Sequence, residues 1–285
     1  MEQSRLASAI TLSIIVGILI AVASAGGLLI EGLYRNNLWA TSQFRGSDLV
    51  RLVVVVPLLF VSLHLVRRGS TRALLLWLGI LWLTVYDYAF YLFGAAFNAF
   101  FLIYVALFAL SILALLFALP HLDAAAIARR FGARTPVRWI GGYLLLIAAF
   151  LGVLWTAQSL AFIVTGQLPQ SLVASGHITE IVFALDLALL VPAMILAGIW
   201  VVQRRPWGFV LAAMMLVKGT LYPLALLGMG AFAERAGVPD VGGMTAFWVF
   251  FFLASAAASA VLFGSIRAVE GARAGGPTMP SGRAA

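Results

Sequence analysis

Long apolar runs, separated by short polar or basic stretches, cover most of the chain. Because a helix needs about 20 consecutive apolar residues to cross a bilayer, this pattern predicts eight spanning helices. The predicted segments are 9–31, 50–66, 73–96, 98–118, 139–164, 178–200, 207–230 and 244–266. The sequence therefore predicts an all-α fold, a polytopic transmembrane helix bundle formed by residues 1–266. The remaining segment, 267–285, is small and polar, which is typical of a disordered tail.

Composition makes the membrane class firm. The chain has 285 residues, of which 64% are hydrophobic and 10% charged, and its mean hydropathy is +1.08. Soluble domains are about half apolar and about a quarter charged, so a large soluble core does not explain these values. The expected partner is the lipid bilayer. The absence of cysteine excludes disulfides, thiol nucleophiles and cysteine-ligated metals.

Arginine clusters between the apolar runs predict the orientation. The formal charge of +8 is spread over these short clusters rather than gathered in a basic domain, so no nucleic-acid partner is expected. If both termini are cytoplasmic, all arginines fall inside except Arg35, Arg45, Arg51 and Arg235. Positively charged loops mark the cytoplasmic side of a membrane protein. The bias therefore predicts a multi-pass protein of a bacterial inner membrane with both termini in the cytoplasm.

The first segment has a second interpretation. Arg5, the apolar run after it and the small residues Ala23-Ser24-Ala25 also fit a cleaved secretory signal peptide. The apolar stretch continues to Ile30, however, beyond the 7 to 15 residues or so of a signal peptide's hydrophobic region. An uncleaved first helix is therefore the preferred prediction.

The candidate functional residues are charges inside the apolar segments. Lys218, the only lysine in the chain, lies within the seventh segment, Asp87 within the third and Asp186 within the sixth. A helical rise of 1.5 Å per residue from the cytoplasmic arginines places the three within about 7 Å of one another in depth. A charge at such depth costs on the order of 3 kcal/mol on insertion scales. We therefore expect Lys218 to pair directly with one or both aspartates inside the bundle.

Aromatic and kink-forming residues surround these charges. Tyr86 and Tyr88 flank Asp87, and Tyr222 follows Lys218 by one helical turn, so all three phenols are candidate substrate- or ion-binding groups. Pro192 and Pro223 predict kinks in the sixth and seventh segments. The alternative is structural: a buried ion pair and phenol hydrogen bonds also hold helices together. His177 and Glu180 are predicted to form an interfacial pair, and no metal site is predicted.

Two resemblances bear on family. The segments YDYAFYLFGAAFNAFFLIYVALF and RRPWGFVLAAMMLVKG resemble stretches of uncharacterised bacterial multi-pass inner-membrane proteins, which implies no activity. Lys218 in the seventh helix and Asp87 in the third are also similar in position to the retinal-binding lysine and its counter-ion in microbial rhodopsins. That resemblance implies a Schiff base at Lys218. Met214, the eighth segment and the absence of a central tryptophan in the sixth depart from the rhodopsin pattern.

These observations favour a transporter or a proton- or ion-coupled small-molecule permease with an intramembrane Lys-Asp cluster. The partners would be a small molecule or protons, no cofactor is predicted, and the sequence does not indicate an oligomeric state. Alternatives are a membrane-embedded enzyme, a retinal-type chromophore protein using Lys218, and a non-catalytic scaffold subunit. Both halves run through four segments from inside to inside, which also predicts a parallel four-plus-four repeat.

Overall fold

The structure, a computed structural model, describes residues 6–238 and 242–267. This part of the chain contains eight helices long and apolar enough to cross a membrane. In chain order they are α1 (Ala7–Leu29), α2 (Leu38–Arg67), α3 (Thr71–Gly94), α4 (Phe101–His121), α5 (Val137–Thr165), α6 (Ile181–Val202), α7 (Pro206–Arg235) and α8 (Thr245–Gly264). The chain is thus a multi-pass helical membrane protein. The predicted disordered tail lies outside the described residues from 268 onward.

Seven helices lie close to their predicted segments, but α2 differs. It begins at Leu38, where the Asn37 side chain accepts a hydrogen bond from the Ala40 amide, and not at residue 50. Its first half is too polar to resemble a membrane helix. Ser42, Ser47 and Asp48 are nevertheless buried, because other helices, and not lipid, cover this half of α2.

Helices α3 and α7 form the centre of the bundle. Of the most apolar window of α3, 83% is buried, against 17% for α8. The two central helices pack against each other where Gly79 leaves room for the side chain of Val217. Helix α1 packs along α4 and α2, and the Trp77 indole of α3 donates a hydrogen bond to Ser13 of α1. The first helix is therefore part of the bundle.

Helices α2 and α6 contain the same local irregularity. Residues Arg51–Val55 of α2 and Asp186–Leu190 of α6 form one π-helical turn each. Each turn begins with a charged residue and is followed by Val-Pro, at Pro57 and Pro192. Proline lacks an N–H and crowds the carbonyl of the preceding turn, and a wider turn relieves that crowding. The sequence patterns RLVVVVP and DLALLVP thus specify equivalent turns.

The equivalence continues at a constant spacing of 135 residues, that between Arg51 and Asp186. At this spacing, α2 and α6 end together and α3 and α7 begin together. The turns between them place Gly69 and Arg204 at positive φ, 80° and 54°. These matched positions support the four-plus-four repeat and make α3 and α7 counterparts.

The halves differ at one end of the bundle, where the connections 30–37, 95–100 and 166–180 lie; we call it the outer end after the predicted orientation. There α2 is continuous from Leu38 to its π turn, whereas the equivalent part of the second half is interrupted. It consists of a short helix, Gln170–Ser175, a turn at Gly176 with φ of 67°, and an irregular segment as far as Glu180. This interruption leaves the bundle open beside α6.

Candidate functional site

A cavity of about 730 Å³ begins at that interruption and extends into the bundle. Helices α2, α3, α5, α6, α7 and α8 supply its walls, and Ser171 and Glu180 line its mouth. In the first half, α1 packs along α4. The equivalent helices α5 and α8 are instead bridged by a Tyr143–Ser255 hydrogen bond of 2.6 Å and by ring contacts of Phe150. The cavity fills the space between them.

Five charged side chains are buried in the described part of the chain: Asp48, Arg51, Asp87, Asp186 and Lys218. All except Asp48 line the cavity. The sequence placed Lys218, Asp87 and Asp186 at one depth, and the structure brings these three to one cavity. The five groups form two clusters, one around Arg51 and the other around Asp186.

Arg51 holds two aspartates in the first cluster. Its Nε lies 3.0 Å from Oδ2 of Asp87, and its Nη1 lies 3.4 Å from Oδ1 of Asp48. Nη1 also donates to the Tyr91 hydroxyl at 2.6 Å. Asp48 additionally accepts hydrogen bonds from Tyr34 and Tyr91. A planar guanidinium with several donors suits such a shared ion pair better than an ammonium.

Tyr34, in the connection between α1 and α2, completes this cluster. Burial, together with the nearby Tyr91 and Asp48, raises the pKa of Tyr34 well above its usual value. The phenol therefore stays protonated and remains a hydrogen-bond donor. Asp48 thus receives hydrogen bonds from two phenols as well as from Arg51, and this set of donors compensates its burial.

Asp186 is held differently, by neutral donors. Its Oδ1 accepts from the Tyr86 hydroxyl at 2.7 Å and its Oδ2 from the Trp155 indole at 2.8 Å. Trp155 is fixed in turn by stacking on Phe183, with ring centroids 4.2 Å apart. No lysine or arginine nitrogen in the described residues lies within 4.0 Å of this carboxylate.

Lys218 does not form the direct ion pair that the sequence predicted. Its Nζ lies 3.6 Å from the ring centroid of Tyr86 and 4.3 Å from that of Tyr222, and no carboxylate of the described residues is within 4.0 Å. A desolvated cation over an aromatic face gains about 2 kcal/mol. The α3 helix places the Tyr86 ring where it can contact both groups. The phenol therefore binds Asp186 with its hydroxyl and Lys218 with its ring face.

The other predicted site residues divide into two groups. Tyr86 and Tyr222 line the cavity, but Tyr88 does not. Tyr88 packs behind the first cluster, against Tyr91 and Tyr104 at 5.5 and 6.2 Å between ring centroids. The prediction that Tyr88 binds substrate is corrected on this point, because successive residues of a helix lie about 100° apart and so Tyr86 and Tyr88 face different neighbours.

Sequence reasoning missed Asp48, Arg51 and Trp155. Arg51 was assigned to the outer loop because the polar stretch before it resembles a connection. The signal that could have found it is the pattern RLVVVVP, which matches DLALLVP around Asp186. For Asp48 and Trp155, the sequence offers no comparable pattern.

His177 and Glu180 lie at the mouth of the cavity. Burial lowers the pKa of His177 from its usual value, and the carboxylate of Glu180 opposes that shift. Glu180 accepts a hydrogen bond from Ser171. The mouth is thus polar and carries one acid, whereas the walls below it are mostly apolar and aromatic.

Comparison with protein-family models found no match, and searches of curated proteins and of solved structures found no similar protein. The resemblances noted in the sequence therefore stay predictions. Any functional conclusion has to come from the cavity and its charges.

Proposed function

We propose that this protein is a carrier of a bacterial inner membrane that moves a small amphipathic molecule across the bilayer, coupled to protons. The observation that supports this most is the cavity itself, which leads from a polar mouth to four buried charged side chains. Its volume falls within the range of about 300 to 1,000 Å³ that is typical of small-molecule sites. Ionisable groups at membrane depth commonly mark a substrate or proton pathway.

The other classes explain these features less well. A scaffold needs no open space beside its buried charges, because polar contacts that hold helices together work best when packed. An enzyme that forms a covalent intermediate needs a nucleophile activated by an adjacent base. Asp186 is instead bonded to a phenol and an indole, and Asp87 to a guanidinium. Both carboxylates are arranged to bind and to titrate.

The opposite end of the bundle is closed. Arg72 donates to the carbonyl of Ile266 at 2.7 Å, and Arg204 donates to that of Ala133 at 2.7 Å. Phe131 stacks on Phe209 with ring centroids 4.4 Å apart. The structure thus corresponds to a carrier open at its outer end. Transport requires these contacts to break while the mouth closes.

Cysteine accessibility tests alternating access, and the absence of native cysteines makes the labelling unambiguous. Ser255 is buried and lines the cavity. We expect Ser255→Cys to react with a membrane-impermeant maleimide in both right-side-out and inside-out vesicles. The reason is that a carrier exposes its site to each side in turn.

The matched control is Ser111→Cys, which replaces an equally buried serine of α4 away from the cavity. We expect no labelling of this variant in either orientation. Labelling of Ser255→Cys from one side alone would contradict a carrier. It would indicate a static pocket, as in a receptor or an enzyme.

A second candidate, covalent binding of a hydrophobic aldehyde, is favoured by one observation: Lys218 lines the aromatic cavity without a carboxylate within 4.0 Å. Its amine would condense with the aldehyde to give an imine and water. This candidate ranks second because the ring faces of Tyr86 and Tyr222 favour the ammonium over the neutral amine that must attack.

Retinal tests the second candidate. We expect no new visible absorbance band when retinal is added to the purified protein, and no retinyl adduct after borohydride reduction. A band that appears in the wild type and is lost in Lys218→Met would instead establish the imine. The variant Arg35→Met, which removes an exposed cation, controls for non-specific adsorption of retinal.

A further inference from the structure

The buried charges do not balance. Asp48, Asp87 and Asp186 face two bases, Arg51 and Lys218, so one negative charge remains when all five groups are ionised. A net charge in an apolar interior is unfavourable by several kcal/mol or more. The site therefore reaches neutrality only when it takes up one proton or one monovalent cation.

The uncompensated charge is available to the cavity. Asp48 does not line the cavity and is bonded to Arg51, Tyr34 and Tyr91. Asp87 does line it, and only its Oδ2 has a protein partner among the described residues, the Nε of Arg51. Asp186 lines it too, with neutral donors alone. Asp87 and Asp186 are thus the two carboxylates that an occupant meets.

Aromatic walls surround these carboxylates. Trp39 and Phe90 line the cavity on the side of α2 and α3, and Phe150, Phe247 and Phe251 line it on the side of α5 and α8. Aromatic faces attract organic cations, and weakly hydrated cations lose little on entering such a site. A carboxylate at the base of an aromatic cavity therefore suits a molecule that is both apolar and positively charged.

On the basis of the proposed carrier function, we propose that the protein exchanges an amphipathic organic cation for a proton, the two competing for the single uncompensated negative charge between Asp87 and Asp186. Binding of the cation releases the proton from the carboxyl group to the aqueous mouth. Protonation on the other side of the membrane then expels the cation. Each exchange is electrically neutral.

Lys218 sets the stoichiometry. Its ammonium, held over Tyr86, offsets one of the two accessible carboxylates even though neither is in direct contact with it. The remaining titratable groups near the site are neutral phenols or lie at the mouth. They are Tyr86, Tyr143, Tyr222, His177 and Glu180. Removal of the lysine charge leaves two uncompensated negative charges in place of one.

A matched pair of probes tests the proposal on the wild-type protein. Tetraphenylphosphonium and tetraphenylborate have similar size and shape but opposite charge. We expect the purified full chain to bind the phosphonium and not the borate, and to release about one proton per bound cation in weakly buffered solution. Below the pKa of the site, phosphonium affinity is expected to fall about tenfold per pH unit.

Substitutions then locate the charge. We expect Asp87→Asn and Asp186→Asn each to weaken phosphonium binding by at least about tenfold and to abolish proton release, because the site becomes neutral without a proton. Lys218→Met is expected to strengthen phosphonium binding at high pH. Asp123→Asn, which changes an exposed aspartate to another good helix-capping residue, is expected to bind like the wild type.

Equal binding of the borate, or phosphonium binding without proton release, would overturn this inference. Both measurements use the wild-type protein, so they remain decisive even if an aspartate variant fails to fold. The carrier proposal is judged separately by the accessibility of Ser255→Cys. A failure of cation exchange would leave that result intact and would point to a different class of transported molecule.

Discussion

Replacement of Arg51 by leucine is expected to lower the free energy of unfolding by about 3–5 kcal/mol, because it leaves two buried carboxylates without their cation. Arg51 is 3% exposed and contacts both Asp48 and Asp87. It also lies within 4.5 Å of the Tyr91 ring centroid. No other arginine or lysine of the described residues is within ion-pairing distance of these two aspartates.

Thermal unfolding in detergent, followed by tryptophan fluorescence, measures this effect. Arg35→Leu makes the same chemical change at an exposed position and is expected to unfold at nearly the wild-type temperature. Neutralising the whole cluster, with Arg51→Leu, Asp48→Asn and Asp87→Asn together, should recover much of the lost stability, since no buried charge is then left unpaired. If Arg51→Leu unfolded together with Arg35→Leu, the ion pairs around Arg51 would be refuted.

The position of Arg51 shows what hydropathy can and cannot predict. Eight helices follow from the apolar runs, because lipid-facing helices must be apolar along their length. The stretch from Leu38 to Val50 is polar, so it resembles an aqueous connection. A polar helix that is covered by other helices has the same composition as such a connection, and the distinction depends on tertiary packing. Arg51 and Asp48 were missed for this reason.

The charged residues within apolar runs were predictable to a limited extent. The helical rise alone placed Lys218, Asp87 and Asp186 at a common depth. Their contacts also depend on how each helix is rotated about its axis, which packing decides. The Tyr86 ring consequently takes the place beside Lys218 that the depth argument gave to a carboxylate. The same uncertainty of rotation explains why Tyr88 lies behind the cavity.

The repeat helps to explain the cavity, since equivalent elements differ where the site lies. Arg51 and Asp186 occupy the same position at the start of a π turn but have opposite charge. The first half is packed through its continuous α2, and the second half is interrupted before α6. One half therefore provides a rigid ion-pair cluster, and the other an opening and a carboxylate held by neutral donors.

The second large effect is expected at the crossing of α2 and α7. A Cβ atom at Gly46 would lie 2.3 Å from the carbonyl oxygen of Gly228. Gly46→Ala therefore forces two backbones apart, and no side-chain rotation can relieve the contact. Overpacking in a core costs about 1–3 kcal/mol and sometimes more. We expect Gly46→Ala to reach at least about 3 kcal/mol, because both partners are backbone.

Two further alanine variants make this prediction specific. A Cβ at Gly228 would lie 2.8 Å from the Gly46 carbonyl oxygen and from Cγ2 of Val50, and the valine can move, so Gly228→Ala is expected to lose less stability. Gly142 in α5 has nothing within 4 Å of an added Cβ. Gly142→Ala is expected to match or exceed the wild type, since alanine favours a helix by up to about 1 kcal/mol over glycine. Thermal unfolding should rank the variants Gly142→Ala, Gly228→Ala and Gly46→Ala from most to least stable. If Gly46→Ala were as stable as Gly142→Ala, α2 and α7 could not cross at this distance, and the placement of Arg51 beside the cavity would be wrong as well.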